Sequence, residues 1–318
     1  MKHTLWLSAA LIAALSSAPV HAEEATLRAA SAFGLGTAFS KPFETFVDWV
    51  NENGKGKVQI DLVGGPEAVP PFELGNAVSS GVVDMGNLPA GFYTNLVPEG
   101  DALKLSTNTV EDQRANGCFE LIDNLHQEKM GVKYLARFGD QVPFHLYLTK
   151  PIDGPDLSGL TIRTTPTYQA FFEALGANLV RTAPGDVYTA LERGTIDGYG
   201  WPIQGVLDLG WDEQTKFRVD PAFYHVEVGV IVNLDTWNSL TDDQKAFLEE
   251  AAAVLDKQNA ESVAVNEAED ARQREAGIEI IEFTGDDAKT WLDTAYAEGW
   301  KHHEELNPAF AKKMKACF

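Results

Sequence analysis

Apolar and polar positions alternate along this chain in short, regularly interrupted runs. Thr26–Ser31 reads as a strand, and Thr37–Asn53 reads as a helix with Phe39, Phe43, Phe46, Val47 and Val50 on one side. Val58, Ile60 and Leu62 alternate with polar neighbours, which predicts a second strand ending at Gly64-Gly65-Pro66. A proline-rich loop over Ala68–Phe72, a short helix and Gly81–Met85 complete a β-α-β-α-β order. The order returns further on, with a strand over Leu160–Arg163, a helix over Pro166–Leu175 and a strand over Asn178–Arg181. A helix over Asp186–Arg193 and a strand from Thr195 to Pro202 follow. Two βα-repeating regions predict two α/β domains rather than one barrel.

The longest helical pattern runs from Asp242 to Ala276, opened by a Thr241/Gln244 capping box and stopped by Gly277. A continuous helix of that length would be ~50 Å long. Such a helix must pass between domains or bend. Ile278–Phe283 then reads as a strand, followed by two helical segments, the second opened by Asn307-Pro308.

The start of the chain places it. Met1–Ala22 combines Lys2, an apolar run from Leu5 to Leu15 and Val20-His21-Ala22, the pattern of a secretory signal peptide cleaved after Ala22. No later stretch is apolar for long enough to span a bilayer, so a soluble protein of the periplasm is expected. The 318 residues include 25 Lys+Arg against 47 Asp+Glu, a net charge of −22. This field repels phosphate backbones and anionic lipid, which disfavours nucleic-acid and membrane-surface binding. An anionic ligand then needs a local cation. Cys118 and Cys317 are an even pair in an exported chain and are expected to form a disulfide, two buried free thiols being the alternative. No Cys/His spacing suggests zinc, no nucleotide fingerprint is complete, and no nucleophile turn is present. His302-His303-Glu304-Glu305 reads as a solvated helix face.

Ligands of open α/β sheets bind beyond the carboxyl ends of the strands. Arg163 stands at such an end, with Thr165 and Pro166 opening the next helix as cap and first residue. A guanidinium beside a helix start suits a carboxylate, a surface Arg paired with one of the many acids being the alternative. Trp201 closes the strand from Thr195 and can wall a pocket, its indole N–H able to donate to a ligand, or anchor a core edge. Comparable strand-end positions are Phe33, Glu67, Asn87 and Tyr93, and Tyr168 lies on the helix after Arg163.

The segments Asp156–Arg163, Phe172–Ala177 and Asp186–Gly198 closely resemble the solute-binding proteins of tripartite ATP-independent periplasmic (TRAP) transporters, the DctP type. Gly81–Met85 and Thr236–Lys245 fit the same pattern, so the resemblance covers nearly all of the chain beyond the signal. It implies a two-lobed binding-protein fold with a long helix spanning both lobes. On that basis residues 23–141 with 229–268 are expected in lobe I, and 142–228 with 269–318 in lobe II. It further implies a receptor without enzymatic activity or cofactor that closes on an organic acid and delivers it to an ion-driven membrane permease, Arg163 holding the carboxylate.

Two departures bear on the ligand. Sialate- and dicarboxylate-type members carry Asn in place of Trp201 and often a second Arg in the strand matching Val142–Tyr147, which has none here. Members resembling 2-oxo-acid binders carry Glu-Trp and can use a cation, but Gly200 stands in the Glu position, so no metal is expected. A monocarboxylate with an apolar or aromatic body follows, 2-oxo acids included. The rival readings are an exported hydrolase or isomerase with Asp186 or Glu67 as base, and a subunit presenting its ligand to a membrane sensor.

Overall fold

The computed structural model describes residues 23–318. The signal-peptide reading lies outside the described residues. Eleven strands form two sheets: β1 (Ala25–Ser31), β2 (Val58–Gly64), β3 (Met85–Leu88), β4 (Val132–Phe138), β5 (Pro143–Leu148), β6 (Thr161–Thr164), β7 (Asn178–Arg181), β8 (Gly198–Pro202), β9 (Phe217–His225), β10 (Val228–Asn233) and β11 (Glu279–Glu282). The first sheet has the order β2-β1-β3-β10-β4, and the second β11-β9-β5-β8-β6-β7. β1 pairs in parallel with β2 and β3, while β10 runs antiparallel between β3 and β4. In the second sheet β8, β6 and β7 are parallel neighbours, and β5 lies antiparallel between β8 and β9. Each sheet with its helices is one lobe of a two-lobed α/β protein.

The chain passes between the lobes where β4 leads to β5 and again where β9 leads to β10. These crossings are tied together, Val226 N–H donating to Val142 C=O at 2.9 Å. Gly139 in the first crossing has φ of +97°, and a Cβ there would stand 2.5 Å from Val226 Cγ1. The close approach of the two strands therefore requires a glycine.

A third crossing is helical, and of the two outcomes its length allowed, passing between the lobes or bending, it shows both. Helices Asp242–Asn259 and Ser262–Glu275 are separate, joined at Ala260-Glu261 by an i→i+3 turn, Glu261 N–H to Gln258 C=O. The first helix packs on Lys41–Asn53 and β4. The second reaches lobe II, where Gln273 donates to Ile203 C=O and Asp270 pairs with Arg218 on β9. The break falls where the Asn259 side chain accepts from Gly139 and Asp140 N–H and donates to Arg137 C=O. The helix is bent by its contact with the crossing.

The first helix starts at Lys41 rather than Thr37, because Ser40 Oγ folds back on Gly34 and Thr37 C=O and Pro42 sits in the first turn. Helix Gly285–Leu306 packs on both Pro166–Ala174 of lobe II and Pro98–Leu105 of lobe I. The last helix, Pro308–Cys317, also rests on Pro98–Leu105 and is joined by the Cys118–Cys317 disulfide to helix Cys118–Met130. The segment 269–318 is thus fastened to both lobes. The larger core fills the first lobe and continues through Tyr199, Trp201 and Trp211 into the second.

Candidate functional site

A cavity of about 50 Å³ lies between the lobes at the carboxyl ends of the strands. From lobe I come Phe33 after β1, Pro89, Gly91 and Phe92 after β3, and the pair Asp101 and Lys104. From lobe II come Phe144, Thr165, Thr167, Tyr168 and Trp201. His225, Val226 and Glu227 reach it from the second crossing. The lobes touch at its rim: Lys104 Nζ bonds both Asp101 at 2.5 Å and Thr167 C=O, and a Cβ on Gly91 would meet Thr167 Oγ1 at 2.1 Å. The structure is a closed one.

Arg163 lies behind the wall formed by Tyr168 and Trp201. Its side chain is wholly buried. Nε and Nη2 donate to Thr182 C=O at 3.1 and 2.8 Å, and Nη1 donates to Tyr168 Oη at 2.6 Å. All partners are neutral, and among the described residues the guanidinium forms no ion pair. Of its five N–H groups, one on each Nη is left over. Burial pulls its pKa below the ordinary value, with Tyr168 and Asp186 acting in the opposite direction. A buried guanidinium is expensive without a counter-charge. Trp201 stacks at 5.8 Å from it.

Tyr168 organises this corner, accepting from Arg163 and donating to Gly200 C=O at 2.7 Å. Gly200 is a glycine for the same reason, since a Cβ there would stand 2.7 Å from the Tyr168 ring. The indole of Trp201 lines the cavity, but its N–H is spent on Gln204 C=O at 3.1 Å, so it offers shape and no donor. Thr165 occupies the cap position of helix Pro166–Ala174 without a capping hydrogen bond and lines the cavity instead.

Of the other expected residues, only Phe33 faces the cavity. Glu67 is exposed and folds onto its own turn, accepting from Gly65 N–H at 2.8 Å, which lowers its pKa. Asn87 is buried behind Phe39, donating to Ser31 Oγ and Phe39 C=O, with Oδ1 unpartnered among the described residues. Tyr93 points into lobe I, its hydroxyl 3.0 Å from His126 Nε2. Asp186 is exposed. Neither proposed base of a hydrolase therefore lines the cavity.

Four titratable groups on the wall escaped the sequence reading, Asp101, Lys104, His225 and Glu227, as did Thr167. Glu227 is 7% exposed, accepts Ala90 N–H at 2.7 Å and Tyr134 Oη–H at 2.5 Å, and burial raises its pKa to about 7. A lone acid inside Val226–Val232, otherwise apolar, was the available signal. Asp101 and Lys104 left none.

A two-lobed α/β body with a closed inter-lobe cavity over strand ends defines a solute-binding protein. The chain belongs to the bacterial extracellular solute-binding protein family 7, the DctP family, which it matches over residues 32–305. A solute-binding protein of Roseobacter denitrificans is 24% identical over 283 residues, covering 86% of each chain. The crystal structure of that TRAP periplasmic protein with bound L-galactonate shares the fold with a TM-score of 0.79, covering 91% of this chain and 98% of the other. The 2,3-diketo-L-gulonate-binding periplasmic protein of Escherichia coli is 27% identical over 266 residues, 78% of this chain and 77% of its own. A TRAP periplasmic solute-binding protein of Desulfovibrio salexigens with bound orotic acid is 17% identical at a TM-score of 0.82, covering 92% and 97%. Among the described residues no helix is long and apolar enough to cross a membrane.

Proposed function

We propose that this protein is the periplasmic receptor of a TRAP transporter, that it binds a small monocarboxylate with the carboxylate on Arg163, and that it hands this acid to the membrane permease. The observation that carries the reading is the buried Arg163 guanidinium with neutral partners only. A carboxylate taking the leftover N–H on each Nη supplies the missing charge in the geometry that Arg favours. Because Arg163 lies behind Tyr168 and Trp201, the carboxylate reaches it only when that wall moves, which ties acid binding to a shift of lobe II.

The aromatic lining from Phe33, Phe39, Phe92, Phe144 and Trp201 suits an apolar body. The free space is smaller than the ~150 Å³ cavity that admits benzene, so a compact acid fits the closed form and a ring needs the wall to widen. The similar proteins support the single carboxylate and not the apolar body, since L-galactonate, 2,3-diketo-L-gulonate and orotic acid each carry one carboxylate but the first two are polyhydroxylated. The test is mass spectrometry of the small molecules released when protein purified from periplasm is denatured. A stoichiometric organic acid is the expected result, whereas a neutral sugar or an amine would overturn the reading.

A further inference from the structure

The cavity holds a charged group at its hinge as well as behind its lobe II wall. Glu227 stands on the second crossing between the lobes, nine-tenths buried, and is one of the residues lining the cavity. Among the described residues it forms no ion pair. Ala90 N–H donates to one of its oxygens and Tyr134 Oη–H to the other. Both oxygens thus already accept, and a carboxylate has lone pairs for about four such bonds. The remaining lone pairs have no counter-charge, so a ligand that brings a donor gains a charge-assisted hydrogen bond that a ligand without one cannot make.

We propose that Glu227 is a specificity-determining residue, accepting a hydrogen bond from a hydroxyl or ammonium group on the ligand, so that the receptor selects hydroxy or amino acids over plain and oxo acids of the same skeleton. The proposal rests on the carboxylate reading of Arg163. It assigns the two ends of the ligand to different walls, the carboxylate to lobe II and the donor to the crossing. Closure then brings both into register. Burial, which holds the free carboxyl near neutrality, makes the preference depend on pH. The groups around Glu227 are Tyr134 and Arg137 on β4, Tyr93, Asp101 with Lys104, and His225 at the end of β9. A donor on the ligand favours the ionised form, so binding of such a ligand strengthens as pH rises through 7.

The experiment is calorimetric titration of wild type, Glu227→Gln and Arg163→Ala with propanoate, 2-oxopropanoate, 2-hydroxypropanoate, 3-hydroxypropanoate and 2-aminopropanoate, at pH 6 and pH 8. Wild type should prefer a hydroxy or amino member over propanoate and 2-oxopropanoate by at least about tenfold. The preference should grow at pH 8 and shrink to roughly twofold or less in Glu227→Gln. Comparison of the hydroxy and amino arms identifies the donor. A preference that survives Glu227→Gln, or a wild type that favours propanoate or 2-oxopropanoate, overturns the proposal while leaving the Arg163 reading intact. If Arg163→Ala binds the panel as wild type does, or no member binds wild type, the carboxylate reading falls and this proposal with it. A purely structural Glu227 would lower the melting temperature of Glu227→Gln without moving the selectivity, and the wild-type pH profile decides the matter if that variant does not fold.

Discussion

Replacing Gly200 by alanine should unseat the residue that holds Arg163. The new Cβ would lie 2.7 Å from Tyr168 Cε2 and 2.9 Å from Cδ2 and Cζ. The ring is packed against Phe144, Phe172 and Phe223 at centroid distances of 5.8, 5.3 and 6.4 Å, so it can yield only toward the cavity. Overpacking of this kind costs roughly 1–3 kcal/mol. Displacing the hydroxyl also removes the hydrogen bonds from Arg163 at 2.6 Å and to Gly200 C=O at 2.7 Å. Leaving a buried charged donor short of a partner costs about 1–3 kcal/mol more. The sum is roughly 2–6 kcal/mol, which at about 2–4 °C per kcal/mol for a chain of this size lowers the melting temperature by roughly 5–20 °C. Differential scanning calorimetry measures it directly. Tyr168→Ala in the same chain should lose less than the two single changes added together, because the clash exists only when both groups are present. A Gly200→Ala protein that melts with wild type would refute the packing argument.

Three further outcomes are expected. The Glu227 pKa is raised from 4.5 to about 7 by burial, so between those values the folded protein keeps a proton that the unfolded chain has released, and stability falls as pH rises through the window. Glu227→Gln should therefore gain stability relative to wild type from pH 5 to pH 8, by at most about 3 kcal/mol, read as a rising melting-temperature difference, and a constant difference would contradict the assignment. The Cys118–Cys317 disulfide closes a separation of 199 residues, which in the chain-entropy model contributes at most ~5 kcal/mol; intact mass after alkylation should show no free thiol, and reduction should lower the melting temperature. Gly91→Ala places a methyl against Thr167 at the lobe contact, so small-angle scattering at saturating acid should give a larger radius of gyration than wild type, with Thr167→Ala in the same chain restoring closure.

The two βα regions were legible because each strand and helix carries its own period: Val58–Leu62 alternates, and Phe43, Phe46, Val47 and Val50 recur at helical spacing and are all buried. The strand-end rule likewise brought Arg163, Trp201, Tyr168 and Phe33 to one corner. The break at Ala260 was not legible, since it has neither Gly nor Pro and is imposed by Asn259 reaching across to the first crossing. The same limit explains Tyr93, Glu67 and Asn87. A strand-end position fixes where a residue starts, but a partner in the next layer, His126 for Tyr93 or Phe39 for Asn87, decides where the side chain goes. Lys104 and Asp101 belong to a helical turn that lines the cavity beside Thr167 of the other lobe, a contact between segments far apart in the chain.

The most direct test of the receptor reading is calorimetric titration of the co-purifying acid into wild type, Arg163→Ala and Arg163→Lys, with folding of each verified by circular dichroism. Losing a desolvated charged partner typically costs ~2–5 kcal/mol, so Arg163→Ala should bind about thirty-fold to several thousand-fold more weakly. Arg163→Lys should remain well below wild type, because an ammonium cannot reproduce the two parallel N–H bonds. Near-native affinity in a folded Arg163→Ala protein would contradict the account.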